Sequence, residues 1–192
     1  MDFQEKDLED MIFRSDADLV RKKGLSSYRH DKVFRQFNLG AYGIPDMVGI
    51  TTYMHNQKMC YSITVYELKK GAIDADALAQ CSRYVSGLIS YLKRIGIKYP
   101  PSIQMVLIGD SIDLKSNFIY SAQSNYELHL YTYSFGINGL AFKEVCARNY
   151  YPTSLSERGY GHAENLDLKA IHKELYRICM YKERFDTNTI FT

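Results

Sequence analysis

A chain of 192 residues, 46% hydrophobic and 24% charged, can bury roughly 70% of its unfolded surface, which excludes disorder as its main state. The length fits one domain with an appendage, and a net charge of +2 names no partner. No run approaches the roughly 20 apolar residues of a membrane span.

The opening MDFQEKDLEDMIF is too acidic and too interrupted for a secretion signal. Cys60, Cys81, Cys146 and Cys179 show neither C-x-x-C pairing nor zinc-ligand spacing. Reduced core thiols in a cytoplasmic protein are therefore expected. Residues 2–14 read as a helix with an apolar stripe of Phe3, Leu8, Met11 and Ile12. A second helix, from Asp16 to Lys23, stops at Gly24. Charge is polarised here. Residues 1–20 hold seven acids and two bases, whereas 21–36 hold Arg21, Lys22, Lys23, Arg29, Lys32 and Arg35 against Asp31 alone. That basic segment reads either as a solvated loop or as a patch that contacts nucleic-acid phosphates.

Alternation from Val33 to Leu39 predicts a strand in which Val33, Arg35 and Phe37 oppose Phe34, Gln36 and Asn38. Residues 45–53 and 59–69 read as an antiparallel pair joined around His55-Asn56-Gln57, and MCYSITVYELK suits a central strand. Beyond Gly71, Leu78, Cys81, Val85, Leu88, Leu92 and Ile95 step by three and four, the seam of a buried helix that ends near Gly96. A strand at 103–109, a helix at 111–122 and strands at 126–134 and 139–147 complete a domain over 1–147. Residues 148–165 lose periodicity, and Leu168, Ile171, Leu175 and Ile178 mark a last helix. The segment 148–192 is thus an extension, packed on the domain or used for assembly. Helices among paired and crossing strands predict an α/β fold, a mixed sheet flanked by helices.

The strand 59–69 ends in Glu67-Leu68-Lys69. Positions i and i+2 of a strand share a face, so Glu67 and Lys69 continue the apolar row of Ile63 and Val65. Two further acid-x-Lys triplets, at Asp113 and Asp167, open helix-like segments in which those positions diverge. Antiparallel pairing brings Asp46, in Gly43-Ile44-Pro45-Asp46, close to Glu67. Two carboxylates at adjacent strand ends suit Mg²⁺, and Lys69 beside them can orient water or stabilise developing phosphorane charge.

Pro45-Asp46 followed by Glu67-Leu68-Lys69 on the next strand resembles the PD-(D/E)XK nuclease superfamily. Gln80 and Tyr84, as Gln-x-x-x-Tyr in the next helix, resemble the additional motif of its RecB-like branch. Glu9 resembles that family's N-terminal acidic ligand, with Glu5, one helical turn away, as the alternative. The resemblance implies a restriction-endonuclease-like αβββαβ core with a C-terminal helical extension. It implies Mg²⁺-dependent hydrolysis of phosphodiester bonds, with Mn²⁺ able to substitute, in nucleic acid and in DNA rather than RNA. Asp46, Glu67, Lys69 and Gln80 would be catalytic, and Asp46, Glu67 and Glu9 would hold metal. Tyr84 would join the basic residues in contacting substrate. The competing reading is an inactive nuclease-fold protein that binds nucleic acid or protein partners; a homodimer fits either. No P-loop, G-x-G-x-x-G or G-x-S-x-G pattern supports another enzyme class.

Overall fold

The computed structural model describes residues 3–55, 58–97, 101–113 and 127–145. Helices α1 (Glu5–Arg14) and α2 (Ala17–Lys22) precede strands β1 (Lys32–Arg35), β2 (Met47–His55) and β3 (Lys58–Leu68). A short β4 (Ala72–Ile73) leads into α3 (Ala75–Arg94). Then follow β5 (Ser102–Gly109), β6 (Ser111–Ile112), β7 (Glu127–Gly136) and β8 (Gly139–Val145). Six strands form one sheet in the order β1-β2-β3-β5-β7-β8. The pairs β3–β5 and β5–β7 are parallel and the others antiparallel, so the sheet is mixed. The predicted α/β class and the order of helix, three strands, helix and strand are both present.

Alternation along β3 sorts the core into two layers. Ile63 and Val65 join Cys81, Val85, Leu88 and Leu92 of α3 on one face. Tyr66 and Leu68 join Leu8 and Ile12 of α1 and Val20 of α2 on the other. The Asp74 carboxylate caps α3 by accepting the Ala77 N–H at 2.8 Å, satisfying one of the orphan donors of its first turn. Fully burying a Leu or Val contributes roughly 1.5–3 kcal/mol, so the α3 seam is the main anchor of that layer. No helix among the described residues is long and apolar enough to cross a membrane.

Three expectations change. The inward face of α1 is Leu8, Glu9 and Ile12, while Met11 is exposed, because the Glu9 carboxylate finds partners beneath the helix. The predicted strand from Val33 to Leu39 stops at Arg35. Gln36 has φ +48°, a left-handed backbone that costs a non-glycine residue about 1 kcal/mol. That kink breaks the alternation, so Phe37 packs with Phe34 in one layer, ring centroids 6.0 Å apart, instead of opposing it. Where a helix over 111–122 was expected, Ser111 and Ile112 form β6, paired with β4; the remainder of that segment lies outside the described residues. So do Asn56 and Gln57 of the hairpin turn, Cys146, Cys179 and the extension 148–192. Cys60 and Cys81 are buried thiols.

The face opposite α3 carries a half-buried polar network. His30 lies over Gly49, where a Cβ would meet the imidazole at 2.5 Å, so only glycine admits the ring. The Thr51 hydroxyl donates to the Arg29 carbonyl, so His30 Nδ1–H donates to Thr51 Oγ1 at 2.9 Å. The Tyr66 hydroxyl lies 2.6 Å from Nε2 and 3.4 Å from the Ser27 carbonyl, and its proton goes to the closer nitrogen. One ring proton satisfies both contacts, and burial lowers the His30 pKa to about 4. The unfolded imidazole titrates near 6.5, so the folded state refuses a proton that the unfolded chain accepts. This contribution is complete above pH 6.5 and is lost as pH falls toward 4, by up to roughly 3 kcal/mol. Urea unfolding at pH 7.5 and pH 5 should show a smaller stability loss on acidification in His30→Gln than in the unaltered protein. Equal losses would mean that the imidazole is not held neutral.

Candidate active site

The register of β2 and β3 pairs Met47 with Tyr66. One step further, Asp46 stands opposite Glu67, and directly opposed residues share a face. That face is the α3 side, at the end of β3. Asp46 Oδ2 accepts the Leu68 N–H at 2.7 Å, which fixes its carboxylate against the neighbouring strand. Glu67, 3% exposed, receives Lys69 Nζ on Oε1 at 2.8 Å. Lys69 is placed by its own N–H, which donates to the Ile108 carbonyl at 2.8 Å and continues the ladder to β5.

From α3, Gln80 Oε1 accepts the same Lys69 ammonium at 3.2 Å, and Gln80 Nε2 donates to the Tyr84 hydroxyl. Spacing of i and i+4 puts Gln80 and Tyr84 on one helix face. Tyr84 is set by a close approach at Gly43, whose φ is +99° and where a Cβ would meet the ring at 2.7 Å. The turn ahead of Pro45-Asp46 is thus pressed onto α3. The structure brings Asp46, Glu67, Lys69, Gln80 and Tyr84 into one connected group.

Glu9 approaches from the first helix. It is buried, its Oε1 receives Arg35 Nε at 2.5 Å and its Oε2 receives Gln36 Nε2 at 3.0 Å. Glu5 accepts the Lys70 N–H at 3.1 Å. The charges of both acids bear on Asp46.

Electrostatics follow from burial. Desolvation raises Asp46 to about 6, countered by the Leu68 N–H and reinforced by the charges of Glu9 and Glu5. Desolvation raises Glu67 to about 7, with the Asp46 charge adding and Lys69 opposing. Desolvation pulls Lys69 down, yet its bond to Glu67 and the surrounding carboxylates leave it raised. Lys69 is therefore an ammonium at neutral pH, not a base. Asp46 and Glu67 each keep one oxygen, Oδ1 and Oε2, outside these bonds. Two hard oxygens whose negative charge is penalised by burial and mutual repulsion fit a divalent cation. Among the described residues no three His, Cys, Asp or Glu side chains form a metal-holding group.

The basic residues do not gather. Arg21 pairs with Asp18. Lys23 donates to the Asn138 carbonyl at 2.6 Å, and its own carbonyl accepts from Phe142, beside the β8 edge. Lys32 and Arg35 lie on β1, at the opposite edge. Arg35 is engaged by Glu9 and Asp10 and sits over the Phe13 ring. Lys22, Arg29 and Lys32 are exposed. Sequence reading missed Gln36, which touches both Glu9 and the Asp46 main chain; a lone glutamine in a strand-like run carries no signal of this.

No family model matches the chain, and no curated protein matches it. Among solved structures, a repair endonuclease from Pyrococcus abyssi is similar over 67% of this chain, at 19% identity and a TM-score of 0.42. The chain covers 46% of that protein. A likeness at this level carries no argument about activity, which has to come from the group around Asp46 and Glu67.

Raised carboxylate pKa values have a stability consequence of opposite sign to that of His30. A folded acid titrating near 6 instead of 3.8 favours the fold at low pH and disfavours it progressively as pH rises through that window. Asp46→Asn keeps the acceptor for the Leu68 N–H and removes the charge. Without divalent metal it should stabilise the fold at pH 8 by about 1–2 kcal/mol, after discounting for solvent screening. At pH 4 the gain should vanish. Calorimetric melting at both pH values checks this, and a variant no more stable at pH 8 would contradict the buried-repulsion account.

Proposed function

We propose that the protein is a metal-dependent nuclease that hydrolyses phosphodiester bonds in nucleic acid, with DNA as the substrate and the PD-(D/E)XK arrangement as its plan. One observation carries this reading: Asp46 and Glu67 oppose each other across two strands, and Lys69 is tied to Glu67 on the same face. Asp46 Oδ1 and Glu67 Oε2 would hold the ion, Mg²⁺ with Mn²⁺ as a substitute, because few carboxylates and several retained waters suit it. When bound, that ion supplies Lewis-acid stabilisation of phosphoryl oxygens and a more acidic water.

The remaining chemistry belongs to the chain. Lys69 stays protonated, so it acts as a fixed cation toward a phosphorane oxygen and holds Glu67 Oε1 away from rotation. Gln80 accepts from Lys69 and donates to Tyr84, which keeps the ammonium from turning to solvent. Preorganised donors of this kind need no rearrangement as charge develops. Glu9 stands within electrostatic reach of Asp46. In the extra-ligand role it would first have to exchange its bond to Arg35 or Gln36.

Labelled duplex DNA, single-stranded DNA and RNA, incubated in Mg²⁺ and in EDTA, test the activity. Metal-dependent cleavage supports the enzyme, whereas retarded but uncut substrate supports the binding-protein alternative. Within an active protein, Lys69→Ala should leave substrate binding largely in place and lower turnover by roughly 10²–10³. Lys69→Arg should rescue poorly, because a planar fork does not replace a compact ammonium. Lys70→Ala is the internal control. An intact rate in Lys69→Ala, or equal damage in Lys70→Ala, would overturn the role given to Lys69.

A further inference from the structure

We infer that Gln36 is a positioning residue for the carboxylate pair, acting through Asp46 and Glu9; this rests on the metal-dependent reading of that site. Gln36 is the one non-glycine residue with positive φ among the described residues, at +48°. Its backbone N–H donates to the Asp46 carbonyl at 2.9 Å. That bond extends β1–β2 contact by one step beyond the Arg35–Met47 pair, to the residue that carries the carboxylate. Its side-chain amide reaches the other way and donates to Glu9 Oε2 at 3.0 Å. One residue thus ties the start of β2 to the buried acid of α1.

The N–H bond continues the ladder, and the left-handed backbone that follows it turns the chain out of the strand. With extended geometry, residue 36 would continue the strand and Phe37 would point away from Phe34. The turn instead returns Phe37, fully buried, to the same layer as Phe34. A strained conformation held by a buried neighbour and two hydrogen bonds at a charged site has a natural use as a clamp. If the clamp opens, Asp46 loses a main-chain restraint and Glu9 loses half of its anchoring. Each change alters how Asp46 Oδ1 and Glu67 Oε2 converge. Partners behind metal-holding carboxylates commonly change metal affinity by 10- to 100-fold when removed.

Two substitutions separate positioning from plain folding. Gln36→Gly deletes the amide and relaxes the backbone; Gln36→Met deletes the amide donor and keeps the strain and most of the length. A merely structural role predicts that effects follow stability, with Met clearly worse than Gly. Positioning predicts that both weaken Mg²⁺ binding alike, by about tenfold or more, whatever their melting temperatures. Calorimetric titration of Mg²⁺ into each folded variant reads this without turnover. In cleavage assays, the Mg²⁺ concentration for half-maximal rate should rise, with the rate at saturating Mg²⁺ less affected. Unchanged Mg²⁺ affinity in both variants, or affinity that tracks stability, would overturn the role of Gln36 alone. An unaltered protein that binds neither Mg²⁺ nor Mn²⁺ would overturn the metal reading and this inference together.

Discussion

Burial of two like charges on one face of a sheet is the constraint that organises this end of the molecule. Desolvation is the largest cost for both acids, and the Asp46 charge adds to that of Glu67. Asp46 and Glu67 are held in that relation by the ladder between β2 and β3, not by their own chemistry. The backbone cannot separate them without breaking a pairing that continues through Val48–Val65 and Ile50–Ile63 into the core. What the fold can do is supply donors: the Leu68 N–H to one carboxylate and the Lys69 ammonium to the other. These offset part of the desolvation cost and leave the acids titrating near neutrality instead of near 4.

Helix α3 makes core and site one mechanical unit. Cys81, Val85, Leu88 and Leu92 face the sheet, while Gln80 and Tyr84, on the flank of the same turns, reach the charged end. A helix anchored by its apolar seam cannot rotate to release Gln80 without dragging Leu78 and Cys81 out of the layer. The Gly40–Tyr42 turn is pinned to the same helix. A Cβ at Gly87 would meet Tyr42 at 2.6 Å, and Arg83 Nε donates to the Tyr42 carbonyl at 3.1 Å. Both walls of the chain segment leading to Asp46 are therefore set by one helix.

The parts legible in the sequence were those with strong local periodicity. The period-two row Ile63-Val65-Glu67 and the three-four stepping from Leu78 to Leu92 each report burial directly, and both stand in the structure. Asp46 was legible because antiparallel register follows from the two strand patterns. The left-handed Gln36 was not, since no rule of alternation anticipates a kink whose compensation is tertiary: Asp46 and Glu9 are distant in sequence. Met11 misled for a related reason. Hydropathy ranks it above Glu9, but a carboxylate with an arginine and an amide waiting beneath it is the better buried residue. The β4–β6 pair is two residues per strand, too short for any period to register. The basic segment 21–36 looks like one patch only along the chain; β1 and the end of α2 carry its members to opposite edges of the sheet.

The two faces of β3 solve the problem of buried polarity in opposite ways, one residue apart. Behind the sheet, the Tyr66 hydroxyl closes a neutral network with His30 and Thr51, in which both ring nitrogens are satisfied by a single proton. In front, Glu67 titrates near neutral pH beside Asp46 and leaves Oε2 outside its bond to Lys69. Burial lowers the pKa of the histidine and raises those of the acids, so acidification strains the back while relaxing the front. Near neutral pH the back is closed and uncharged. Lys69 is the cation that both carboxylates feel, and it is held to one side by Gln80. The negative field is thereby aimed at the two unbonded oxygens, where a divalent ion has most to gain.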